Sequence, residues 1–262
     1  MILSKNSYTK GNPEKPELDV PIKVQPQDTE FNVSIKDVGD NYRKPVERLS
    51  PKSFFVIISG GEVREQDYFK IISNRDKFGR VKIEFATIPN NYPDGLLEKA
   101  KYRQTHYKTS QEDEPDQIYI VSDVDHFMND LLRIKPICEE LEIKLIVSNS
   151  CFEIWLYYGI FSEQPTDFKI PDNYLKISSA FKTYLGNKVK GGINPKYAIF
   201  NVKVAIQNAK NAYYEDDNGI PLLFSTNMFI LAEALLPVIE QELNTLKEEN
   251  TDKQRRYKNT II

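Results

Sequence analysis

The run Ile118-Tyr119-Ile120-Val121-Ser122-Asp123-Val124-Asp125 reads as a buried strand that delivers two carboxylates at its C-terminal end. Side chains of extended chain alternate faces, so Asp123 and Asp125, two positions apart, can point the same way from the strand tip. Two carboxylates held side by side repel each other and invite a hard divalent cation with oxygen preference, most naturally Mg2+, or Mn2+. Open α/β sheets carry their sites at the carboxyl ends of strands, which favours the metal reading. The competing account is ordinary: the chain has 38 acidic residues, and most Asp-x-Asp pairs sit in solvated turns or cap helices. Asp125 could simply cap a helix that starts near Phe127.

The elements around this pair alternate. Residues 54–58 form a continuous β-rich apolar run that suits a strand buried on both faces, and the run ends at Gly60-Gly61. A helix is expected over 65–78, a strand over 81–88, a helix over 94–107, and the acidic strand over 117–122. Helix 127–141, strand 144–147 and an apolar helix 151–161 follow. This βαβα order predicts an α/β fold, a mainly parallel sheet flanked by helices within a core spanning 51–161. Beyond residue 162 the strand signals stop, and helices over 174–185, 198–213 and 229–249 make a helical C-terminal region that completes or caps the core. Residues 1–50 are polar and proline-bearing and read as an N-terminal arm, extended or partly disordered, with one candidate strand at Val33-Ser34-Ile35.

Composition narrows the function classes. With 262 residues, 40% hydrophobic and 28% charged, the chain can bury a large core and is not wholesale disordered. No apolar run approaches the roughly 20 residues that span a bilayer, and a polar N-terminus without a secretory signal predicts a cytoplasmic protein without a membrane role. Two cysteines, Cys138 and Cys151, and two histidines, His106 and His126, argue against structural zinc. The net charge of −3 argues against a surface coated in positive charge but leaves room for a local basic groove.

Several motifs then combine. Gly61-Glu62-Val63-Arg64-Glu65-Gln66-Asp67-Tyr68-Phe69 follows the first strand, Asp123-Val124-Asp125-His126 the third, and Ser148-Asn149-Ser150-Cys151-Phe152-Glu153-Ile154-Trp155-Leu156 the fourth. With Gly95-Leu96-Leu97-Glu98-Lys99-Ala100 between them, the chain resembles the RloB-like family of bacterial defence-associated proteins over about residues 53–161, and more weakly beyond. That family resembles a branch of the Toprim superfamily.

The resemblance implies a Toprim-like core, a magnesium site built from an acidic residue after strand one and the Asp-x-Asp after strand three, and phosphoryl-transfer chemistry on nucleic acid. It thus implies a metal-dependent nuclease, acting on DNA or RNA as an effector of anti-phage defence, with a partner ATPase of the ABC or AAA type. Asp123 and Asp125 match the second motif. The first motif departs: family members read Glu-Gly-x-x-Thr-Glu before the Tyr-Phe pair, whereas here Gly60 stands at the expected glutamate and Arg64 at the threonine. Glu62 or Glu65 would have to complete the shell, against the plainer readings of a solvated Glu62 and of Glu65 as a first-turn acid complementing the helix dipole.

Glu153, on an otherwise apolar helix, must be paired, protonated or bound to metal. His126 is a candidate base or an exposed first-turn residue, and Asn149 a candidate phosphate contact or a helix cap. Lys99 and Arg103 share a helix face that could meet a polyanion or remain solvated. The alternatives are a catalytically silent Toprim-like sensor or scaffold that binds the ATPase, and a phosphate-binding regulatory domain.

Overall fold

The computed structural model describes residues 55–260, except 74–77, 79, 88, 110–114 and 116, and the side chains of 107–109 and 251–260. The chain divides into two units, Met1–Arg48 and Leu49–Ile262. The expected arm and its candidate strand lie outside the described residues.

Four strands form one sheet: β1 (Phe55–Ser59), β2 (Val81–Phe85), β3 (Gln117–Asp123) and β4 (Lys144–Ser148). Their order is β2-β1-β3-β4 and every pairing is parallel. The fold is therefore α/β, as the alternation of the sequence predicts. β1 and β3 take the centre because they can be buried on both faces, and all five residues of β1 are buried. Period-two alternation sorts their side chains. Phe55, Ile57, Tyr119 and Val121 enter one core, and Val56, Ile58, Ile118 and Ile120 enter the other.

The second core is closed by α2 (Pro93–Thr109) and α3 (Met128–Glu140), through Leu96, Leu97, Ala100, Leu131 and Ile134. The first is larger. It is closed by α1 (Arg64–Ser73) and α4 (Glu153–Tyr158) together with the C-terminal helices α5 (Ile177–Lys188), α6 (Pro195–Ala198), α7 (Val202–Asn211) and α8 (Met228–Thr260). Tyr68, Phe69, Phe152 and Trp155 form a knot of ring contacts at its centre, with centroids 5.1–6.5 Å apart. The helical third thus shares a core with the sheet instead of standing apart.

The outer edge of β4 is covered. The Asn227 side chain accepts from Val147 N–H at 2.6 Å and donates to the Leu145 carbonyl at 3.1 Å, standing in for a neighbouring strand's backbone. Ser148 also bridges to Thr226 in antiparallel fashion. This strap runs back from α8 to the tip of the sheet, where the acidic residues gather. Among the described residues, no helix is long and apolar enough to cross a membrane.

Candidate active site

Alternation along β3 puts Asp123 on the same face as Tyr119 and Val121, the face that carries α1 and α4. The strand ends there. The next turn holds Asp125 at φ 29°, a left-handed conformation, with its N–H donated to the Ser150 carbonyl at 2.9 Å. Once the chain leaves extended geometry the two-residue alternation no longer applies. The expected side-by-side Asp pair is accordingly replaced by two different environments. Asp125 accepts a hydrogen bond from Ser178 Oγ at 3.0 Å and lies 3.3 Å from His126 Nδ1, while Asp123 faces two glutamates.

Those glutamates are Glu65, in the first turn of α1, and Glu153, which opens α4; they are 6% and 3% exposed. The Glu65 carboxylate folds back over Gly61. A Cβ on Gly61 would coincide with it, so the missing side chain is the space the carboxylate fills. Burial pushes the Glu65 carboxyl up to about 7, with a further push from Glu153. Burial likewise holds the Asp123 carboxyl well above its ordinary value, reinforced by Glu65 and then Glu153, and only partly offset by the Phe152 backbone N–H. Asp123 as a residue keeps some solvent contact, yet its Oδ1 is fully enclosed and has no hydrogen-bond partner, nor has Glu153 Oε1.

Two cations partly neutralise the cluster. Arg64 Nε lies 3.4 Å from Glu153 Oε1, and Lys182 Nζ, from α5, lies 3.8 Å from Glu153 Oε2. Burial alone would lower the Lys182 ammonium; the charges of Glu153, Cys151, Asp123 and Asp125 outweigh it and hold the group above its usual value. The Cys151 thiol is buried beside the same acids and is pushed well up by that burial and by their charge. It is an inert thiol, not a nucleophile.

The donor set of three carboxylates, all oxygen, suits a hard divalent cation, and the enclosed, unpartnered Asp123 Oδ1 is what such an ion would satisfy. Among the described residues, no group of three or more His, Cys, Asp or Glu side chains is arranged to hold an ion as it stands. The chemistry of the cluster fits magnesium or manganese, with an open arrangement that binding would have to draw together.

The remaining candidates fall outside the cluster. Glu62 is exposed and accepts from Asn91 Nδ2 at 3.2 Å. His126 is exposed and sits beside Asp125 and Phe127. Asn149 spends its amide on the Pro221 carbonyl at 2.8 Å, fastening the strap. Lys99 and Arg103 both engage Glu84 on β2. Gly60, where the resemblance would place a glutamate, packs so closely that a Cβ would stand 2.5 Å from the Asn91 carbonyl oxygen. Sequence reasoning missed Lys182 and Ser178. Neither has a motif, and only the packing of α5 against the β4–α4 turn brings them in.

Gly61→Ala gives a direct test of the Glu65 position. The added methyl meets the far end of a flexible side chain, so the fold should survive with a stability change of about 1 kcal/mol or less, while Glu65 is driven out. Metal-dependent activity should fall about 10- to 100-fold, read from initial rates beside the circular dichroism spectrum. An unchanged rate would remove Glu65 from the site.

A cavity of about 690 Å3 lies at the opposite rim, against Gln117 and Lys144, and none of the three acids lines it. The carboxyl rim is marked instead by its buried acids, Asp123, Glu65 and Glu153. No curated protein and no solved structure matches the chain. The family described as RloB-like protein matches residues 55–235, more than two thirds of the sequence, and the chain belongs to that family.

Proposed function

We propose that the chain is a metal-dependent nuclease whose Asp123, Glu65 and Glu153 hold Mg2+ or Mn2+ at the tip of β3, with Asp125 at the margin of the site. The observation that carries this reading is the enclosed Asp123 Oδ1, which has no hydrogen-bond partner and whose charge is disfavoured by burial and by the neighbouring Glu65 and Glu153. When bound, the ion would neutralise charge on a phosphodiester and lower the pKa of a coordinated water. The chain's own contribution is to hold three carboxylates at one rim, with Lys182 and Arg64 positioned to limit their repulsion. An anti-phage effector role with an ABC- or AAA-type ATPase as partner is what the motif resemblance implies, and it is part of this proposal.

A second reading, a catalytically silent scaffold, is favoured by the contacts of Arg64 and Lys182 with Glu153, which supply part of the charge an ion would bring. One experiment separates the two. Purified full-length protein is incubated with labelled tRNA, single-stranded RNA and plasmid DNA in Mg2+ or Mn2+, beside Asp123→Ala/Asp125→Ala. Metal-dependent cutting lost in the double variant supports the nuclease. Cutting that the variant retains points to a contaminant, and no cutting in either leaves the scaffold.

A further inference from the structure

Glu153 is buried, yet the two cations on it stand at the surface. The Arg64 side chain is 47% exposed and the Lys182 side chain 48%, against 4% for Glu153. They approach different oxygens, Arg64 Nε at 3.4 Å from Oε1 and Lys182 Nζ at 3.8 Å from Oε2. Both separations exceed the roughly 2.7–2.9 Å of a tight charge-assisted hydrogen bond. A further hold on Arg64 is equally long, a 3.4 Å hydrogen bond from its guanidinium to the Ile193 carbonyl, in the loop after α5. Contacts of this length yield to a stronger charge.

The two cations come from different elements. Arg64 opens α1, one residue before Glu65, and stands where the resemblance would place a threonine. Lys182 lies on α5, one turn beyond Ser178, whose Oγ is fastened to Asp125 at 3.0 Å and to the Ser150 carbonyl at 3.4 Å, so α5 is anchored at the rim. Neighbouring acids have other contacts: Lys196 lies 3.6 Å from Asp67, and Asp125 is engaged by Ser178 and lies beside His126. Glu153 is the carboxylate that Arg64 and Lys182 share. A divalent ion on Glu153 competes with both side chains and is repelled by both, whereas a phosphodiester is attracted by both. Guanidinium and ammonium groups released from a carboxylate are suited to a phosphate.

We propose that Arg64 and Lys182 are phosphate-binding residues, held by Glu153 in the empty site and handed to a phosphate of the nucleic acid when a divalent ion takes up Glu153. The proposal rests on the nuclease reading and adds an order to it, the ion first and the polyanion second. Arg64 and Lys182 oppose the ion and draw in the substrate, so removing either charge shifts the two affinities in opposite directions. A merely structural pair would shift them together.

The test reads both affinities on full-length protein carrying Arg64→Gln, Lys182→Gln or Arg64→Lys. Mn2+ is titrated calorimetrically into the metal-free proteins at pH 8, where each glutamine variant should bind the ion about three- to tenfold more tightly than the native chain, as expected for one less repelling charge near the surface. Fluorescein-labelled 12-nucleotide RNA and DNA with phosphorothioate linkages, which keep the backbone charge and slow cleavage, are then titrated in saturating Mn2+ and followed by anisotropy. Each glutamine variant should bind them about three- to tenfold more weakly, and Arg64→Lys should stay within about threefold of the native protein in both measurements, because it keeps the charge. Glutamine keeps a long polar side chain at these half-exposed positions, so circular dichroism should show every variant folded. Ion uptake that is unchanged or weaker in both glutamine variants, or oligonucleotide binding that is unchanged or tighter, would overturn the handover. Opposite shifts without metal-dependent cutting of natural RNA or DNA would sink the nuclease reading alone. Cutting by the native protein, with both affinities falling together in the variants, would sink the handover alone.

Discussion

Exchanging Asp123 for asparagine is expected to raise the melting temperature of the metal-free protein by several degrees while abolishing metal-dependent cleavage. The Asp123 Oδ1 is enclosed without a partner, and burial, Glu65 and Glu153 all disfavour its charge. Asparagine keeps the shape, keeps an oxygen for the Phe152 N–H and removes the repulsion, a gain of about 1–3 kcal/mol. For a chain of this size that corresponds to about 2–4 °C per kcal/mol. Activity should drop at least about 100-fold, because the substituted amide is a poorer ligand for a hard cation. A core position chosen for packing would behave oppositely, losing stability on substitution. A site that sacrifices stability for chemistry gains it when the chemistry is removed. Differential scanning fluorimetry in EDTA reads the first effect, and a lowered melting temperature would count against the arrangement.

Between about pH 4.5 and 7 the metal-free protein should lose stability as pH rises. The Glu65 carboxyl is raised from its ordinary 4.5 to about 7 by burial and then by Glu153, so the folded state binds its proton more tightly than the unfolded state does. That contribution is fully present below the unfolded value and is lost as pH climbs through the folded one, about 3 kcal/mol by linkage. Asp123 is displaced in the same direction and extends the decline. Asp167, held down by Lys188 and Tyr184, and Asp216, held down by the Ile220 backbone N–H, have the opposite sign. Their contribution is present above the ordinary 3.8 and lost only as pH falls below it, so the windows do not overlap. Saturating Mn2+ at pH 8 should restore much of the lost stability, since an ion that binds only the folded state adds stability by mass action. Chemical denaturation at a series of pH values, with and without the ion, checks both halves. Stability that rises across this window in EDTA would contradict them.

The sheet was legible in the sequence because both-face burial leaves an unambiguous mark. Runs such as Phe55 to Ile58 and Ile118 to Val121 have no amphipathic alternative, and the glycines and aspartates that follow them stop the strands. Helix limits were less legible. The apolar run from Cys151 to Phe161 suggests a long helix, but α4 spans only Glu153–Tyr158, because Gly159 ends it and Cys151 and Phe152 before it bury their side chains without being helical. In the site, Asp123, Glu65 and Glu153 could each be picked out from position after a strand. Their convergence could not, since it depends on the Gly61 vacancy and on α5 approaching the β4–α4 turn, where Ser178 meets Ser150 28 residues along the chain. Asp125 misled for a local reason: the alternation rule assumes extended backbone, and its φ is positive.

Isothermal titration of Mn2+ into the full-length, metal-free protein, beside Asp123→Asn, tests most directly whether these carboxylates form one ion site. The native chain should take up about one tightly held ion, with heats that depend on the buffer because protons leave Glu65 and Asp123 as it binds, and the variant should show neither. An equal isotherm from both proteins, or no uptake by the native chain, would contradict the account.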